Sequence, residues 1–218
     1  MAGNDSMKDD DSMGTKKNVN KGTGIDWFEI RRKIFHILLG ISLVFLISYS
    51  LINWFIVLLI FLLGIVVSIS SKYVDLPFID PLLKIFDRPE HKKFLPGKSV
   101  ILLFLAILIL MIFFDTKIIC ASILIWAFGD SFSAIVGKHY GRIRHPLNND
   151  RLIEGTLAGI FMATIVSMYY VGLFAAFIAS LVSMSIESLE LKFLKHPLDD
   201  NFLVPIIAAI VLVLINSF

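Results

Sequence analysis

The sequence predicts an all-α, polytopic membrane bundle of about seven transmembrane helices with a cytoplasmic N-terminus. Three observations predict it. Of the 218 residues, 57% are hydrophobic, well above the roughly 45–50% of a soluble domain. The apolar residues gather into seven runs, at 34–50, 54–70, 99–114, 118–136, 153–171, 173–190 and 202–216. Of the 20 Lys and Arg, 19 fall in the segments 1–33, 71–98, 137–152 and 191–201. Alternating spans put all four segments on one side, which the positive-inside rule makes the cytoplasm.

Residues 1–24 are polar and aperiodic and predict a disordered tail, leaving 25–218 as one membrane-embedded domain. No signal-peptide core precedes Ile34. The first run opens with Arg32, Lys33 and His36, and helical spacing puts Arg32 and His36 on one face. Segment 71–98 is amphipathic and punctuated by prolines. It fits either a short interfacial helix around Asp80–Phe86 or a plain connector. Pro96-Gly97-Lys98-Ser99 imitates the end of a phosphate loop, but Lys92 stands where the first glycine is required. Runs five and six meet at Val171-Gly172 with almost no linker, so six spans or seven turns on that junction. Several runs fall short of the ~20 residues of a crossing, so flanking residues or local thinning of the bilayer must supply the rest. The single Cys120 excludes a disulfide framework. No internal repeat supports an inverted-repeat transporter.

The polar groups crowd one face. Asp130, Ser131 and Ser133 lie in the inner half of run four, followed by Lys138, Arg142, Arg144 and Arg151 in the loop. Glu154 opens run five, Glu187 and Glu190 close run six, and Asp199-Asp200-Asn201 precede run seven. An acidic residue at membrane depth is costly, which makes Asp130 a functional candidate. Carboxylates grouped with Lys and Arg are how proteins hold magnesium and a polyphosphate together. Gly129, Gly137, Gly141 and Gly155 would let backbone approach a phosphate, and Gly155 at a helix start offers free N–H groups. Gly137-xxx-Gly141 also has the spacing of simple helix packing.

Several blocks of residues resemble a known family. They are Arg32-Lys33-x-x-His36, Phe128-Gly129-Asp130-x-x-x-Ala134-x-x-x-Gly137 continuing to Tyr140-Gly141, Arg151-x-x-Glu154-Gly155-Thr156, and Glu187 with Asp199-Asp200-Asn201-x-x-x-Pro205. Together they resemble the CTP-dependent membrane lipid kinases: dolichol (polyprenol), phytol and yeast-type diacylglycerol kinases. The likeness covers about 30–216. The Gly-Asp and Glu-Gly blocks also resemble phosphatidate cytidylyltransferases, while the Asp-Asp-Asn-x-x-x-Pro block favours the kinases. One departure is Leu152-Ile153 before Glu154-Gly155, where the family carries a hydroxyl residue.

The resemblance implies transfer of the γ-phosphoryl of CTP to a membrane lipid alcohol at the cytoplasmic face, with Mg2+. Asp130, Glu154, Asp199 and Asp200 would bind the metal. Gly129, Ser133, Gly137, Lys138, Gly141, Arg142, Arg151, Gly155 and Asn201 would bind the nucleotide. His36 or Glu187 would take the hydroxyl proton, and the sequence does not choose between them. The partners expected are CTP, the lipid alcohol and the bilayer, with no nucleic acid; the oligomeric state stays open. A cytidylyltransferase attacking the α-phosphate and a proton- or ion-coupled transporter are the alternatives.

Overall fold

A computed structural model describes residues 27–71, 96–146, 148–189, 192–193, 196–197 and 199–217. The expected tail 1–24, the expected interfacial helix at Asp80–Phe86 and Glu190 lie outside these residues. Among the described residues there are seven helices: α1 Trp27–Ser48, α2 Trp54–Ser70, α3 Lys98–Phe113, α4 Thr116–Tyr140, α5 Ile153–Val171, α6 Leu173–Ser188 and α7 Asp200–Asn216. The all-helical class is met, and each apolar run becomes one helix. Only α4 and α5 are long and apolar enough to cross a membrane by length and composition; α2, α3, α6 and α7 are apolar but shorter.

The joints between helices follow from single residues. Asn53 caps α2, its side-chain oxygen accepting the Ile56 N–H at 3.0 Å. Gly172 separates α5 from α6 with φ 79 and ψ 161, a region that only glycine enters cheaply. That one residue divides two helices the sequence leaves nearly fused.

Helix α4 is the hub. Its residues from Ile118 to Ala127 are buried on every side, with α5 and α1 packed along it and α7 against its other flank. Leu43, Val44 and Ile47 of α1, Leu103 and Ile107 of α3, and Ala208, Ala209 and Leu212 of α7 join this core. Helix α2 packs on α3 and buries only Val57 and Ser68.

Two hairpins interrupt the helical pattern. Strand β1 (Arg144–His145) pairs antiparallel with β2 (Asn148–Leu152) between α4 and α5. Strand β3 (Lys192–Phe193) pairs with β4 (His196–Pro197) between α6 and α7. The sequence reading expected loops at both places, because pairs this short leave no alternation to read.

Candidate functional site

The site begins with a helix contact. Buried residues of α1 recur at Lys33, Gly40, Val44 and Ile47, the three-to-four spacing of one face. Gly40 lies directly on Ala127 of α4, with no room for a side chain between them. This close approach carries Lys33, 2% exposed, to Asp130 of α4. Lys33 Nζ donates to Asp130 Oδ2 at 2.6 Å. One residue on, Ser131 Oγ donates to the Lys33 carbonyl at 3.2 Å. Two charges leave water here, which is tolerable only because each has the other.

A second ion-pair system abuts the first. Arg151, at the end of β2, places Nη1 2.7 Å from Glu187 Oε1 and Nη2 3.1 Å from Asp200 Oδ2. Its guanidinium therefore ties the last turn of α6 to the first residue of α7. The Nη1 contact is close enough for an ion pair but poorly directed for a hydrogen bond. Among the described residues neither Glu187 oxygen accepts a hydrogen bond, although Glu187 is 1% exposed. One oxygen each from Asp130, Glu187 and Asp200 lies within 4.8 Å of the others. Two oxygens facing each other across one magnesium are about 4.2 Å apart, so the trio is near ligating size. Three carboxylates face Lys33 and Arg151, and the donors are all hard oxygens.

The start of α7 is built around Asp199 and Asn201. Asp199 Oδ1 accepts the Asn201 backbone N–H at 3.1 Å and its Nδ2–H at 2.6 Å, and its Oδ2 accepts from Ser99 Oγ at 3.3 Å. Asp199 is thus an N-cap tying α3 to α7, and it stands outside the carboxylate trio. With Nδ2 so committed, Asn201 turns Oδ1 toward α4 and α1. Trp126 Nε1 donates to that oxygen at 3.0 Å, and His36 Nε2 lies 3.2 Å from it. His36 Nδ1 faces the Arg32 carbonyl at 2.9 Å. Both imidazole nitrogens therefore meet acceptors.

Glu154 lies elsewhere. Its Oε1 accepts the backbone N–H groups of Arg142 and Ile143 at 3.0 and 3.1 Å. It pins the chain leaving α4 to the start of α5, and the trio holds Glu187 where the sequence reading expected Glu154. The glycines serve the same interface. A side chain at Gly155 would stand 2.5 Å from the Ser133 carbonyl and 2.8 Å from Gly137 Cα. One at Gly159 would stand 2.7 Å from the Gly129 carbonyl, and Gly129 itself lies against Met184. Gly141 is closed over by Leu152 and the Gly137 carbonyl. Helix packing brings other protein atoms close to Gly129, Gly137, Gly141 and Gly155, and the buried Ser133 belongs to that contact. Lys138 and Arg142 are exposed beside the hairpin.

The structure thus unites Asp130, Glu187, Asp200 and Arg151, sets His36 and Asn201 alongside, and separates Glu154 and Asp199 from them. Sequence reasoning gave no role to Lys33 or Trp126. A lysine nearly two turns inside α1 is one signal for the first. The second is a tryptophan one helical turn before Asp130, whose indole N–H needs an acceptor.

No protein-family model matches the chain, and no solved structure matches it. It is similar to the uncharacterized protein MJ1137 of Methanocaldococcus jannaschii, 27% identical over 193 residues that span 84% of this chain and 92% of that one.

Proposed function

We propose that the chain is a multi-pass membrane kinase that transfers the γ-phosphoryl of CTP to the hydroxyl of a lipid alcohol at the cytoplasmic face. A polyprenol or dolichol-type alcohol is the first candidate acceptor, with diacylglycerol and phytol-type prenols next. The observation that carries this reading is the meeting of Asp130, Glu187 and Asp200 with Lys33 and Arg151. Phosphoryl transfer asks for positioning and charge stabilisation more than for covalent chemistry. CTP as the donor rests on the family resemblance alone.

The membrane setting is supported by the outer surface. Leu38 and Phe45 of α1, Leu63 of α2, Phe161 of α5 and Leu214 of α7 all face outward. In water such a coat would be an aggregation surface, whereas in a bilayer it is solvated. Glu187 ends α6, Asp200 opens α7 and Arg151 stands just before α5, while Lys33 and Asp130 lie farther inside α1 and α4. A soluble nucleotide and a lipid headgroup would meet at that end of the cluster.

Magnesium bound by Asp130, Glu187 and Asp200 would offset charge on the transferring phosphate. Lys33 holds Asp130 in place, and Arg151 is the cation in contact with Glu187 and Asp200. Lys138 and Arg142 extend the positive field toward the solvent side of the hairpin. Glu187, through the oxygen that a bound ion would leave free, is better suited than His36 to accept the hydroxyl proton, because among the described residues its oxygens receive no hydrogen bond while both His36 nitrogens are turned to acceptors. His36 and Trp126 instead orient Asn201.

The test uses purified protein, magnesium and CTP labelled separately at the γ- and α-phosphates. The acceptors are a polyprenol, a short prenol, diacylglycerol and phosphatidic acid. The proposal expects γ-label in an alcohol and no α-label in any lipid. Entry of α-label into phosphatidic acid, with pyrophosphate released, would make the protein a cytidylyltransferase instead.

A further inference from the structure

Arg151 contacts the same two carboxylates that the proposed cation would use. We propose that Arg151 holds the cation's place, its guanidinium neutralising Glu187 and Asp200 until a polyphosphate draws it away and the ion replaces it. This inference rests on the cation site of the proposed function and adds its regulation: ion and polyphosphate bind together and poorly apart.

The geometry carries it. Nη1 lies 2.7 Å from Glu187 Oε1 and Nη2 3.1 Å from Asp200 Oδ2, so an ion entering between these oxygens meets a positive group already in contact with both. Simple withdrawal of Arg151 would leave the Glu187 carboxylate, 0% exposed at its side chain, buried without a counter-charge, which is strongly unfavourable. Exchange for a divalent ion removes that penalty. Arg151 can make the move because its side chain is the outermost of the pair, 21% exposed. The backbone beneath it is fixed, since the next residue, Leu152, pairs with Arg144 across the hairpin and packs over Gly141. The planar guanidinium suits a phosphate bidentately, as it suits two carboxylates. Coupling of this kind is reciprocal, so each ligand must tighten the other by the same factor.

Electron paramagnetic resonance of Mn2+ bound to the full chain in detergent tests this, at matched free Mn2+, with and without inorganic tripolyphosphate. In the wild type, tripolyphosphate should tighten Mn2+ binding about tenfold. Arg151→Gln should bind Mn2+ alone about tenfold more tightly than the wild type, with no further gain from tripolyphosphate. Arg151→Lys, a single ammonium that cannot bridge both carboxylates, should fall between. Equal Mn2+ affinity in wild type and Arg151→Gln overturns the inference and leaves the cation site standing. If Arg151→Gln does not fold, a wild-type affinity indifferent to tripolyphosphate overturns it equally. No bound Mn2+ in any variant removes both this inference and the metal role in the proposed function.

Discussion

Asp130 and Glu154 make an instructive pair. Each is an acidic residue beside a glycine, each belongs to an apolar run of the sequence, and each was expected to bind metal. The structure gives them opposite work. Asp130 is buried against Lys33, within reach of Glu187 and Asp200. Glu154 accepts backbone N–H groups at the mouth of the α4–α5 hairpin. The difference is in what each carboxylate lacks: Glu154 finds its donors locally, within twelve residues, while Asp130 depends on a lysine 97 residues away. A carboxylate satisfied by its own loop holds the fold. One paired with a distant charged side chain, with further carboxylates at hand, can serve a site as well as the fold.

The largest effect that could break this contrast is expected at Asp130. Asp130→Asn should abolish γ-phosphoryl transfer and, by leaving Lys33 buried without a counter-charge, destabilise the protein by about 3–5 kcal/mol. Glu187→Gln should lower turnover by about 10²-fold or more with a much smaller fall in melting temperature, because Arg151 keeps Asp200. Equal loss of stability in the two variants would mean that Glu187 is as structural as the Lys33–Asp130 pair.

That contrast also marks how far the sequence could be read. The seven described helices follow apolar runs whose ends differ from the observed ones by a few residues at most sites, because the apolar runs and the residues at their joints, Asn53 and Gly172, are local signals. Asp130 and the Asp199-Asp200-Asn201 block stand out for the same reason, as polar groups in apolar surroundings. Partner choice is not local. Nothing near Asp130 in the chain announces Lys33, and nothing near Glu187 announces Arg151. The glycines carry a similar ambiguity: Gly129, Gly137 and Gly155 permit close approach, but whether a phosphate or a helix makes that approach depends on where α5 lies.

Two smaller effects sharpen the comparison on its structural side. Gly155→Ala would push a methyl group against the Ser133 carbonyl and Gly137 Cα, backbone atoms that cannot yield as a side chain can. It should cost about 1–3 kcal/mol of stability while leaving KM for CTP unchanged; a raised KM with unchanged stability would return Gly155 to phosphate binding. Gly172→Ala, at φ 79 and ψ 161, should cost about 1–3 kcal/mol through backbone strain alone, read as a lower melting temperature with normal turnover per folded molecule.

The smallest effect is expected at Glu154. Glu154→Gln keeps one oxygen for the Arg142 and Ile143 N–H groups, so most turnover should survive and magnesium dependence should not move. A loss matching that of Asp130→Asn would erase the distinction between the two acidic blocks.

The most direct measurement is γ-phosphoryl transfer by the double variant Lys33→Met, Asp130→Asn, compared with the wild type at equal folded concentration. Removing both charges should restore much of the stability that Asp130→Asn loses, since no buried ion is left unpaired. The account predicts a folded protein with no turnover, because Asp130 serves the chemistry as well as Lys33. A folded double variant that phosphorylates its lipid alcohol at the wild-type rate would show that the pair only holds α1 to α4.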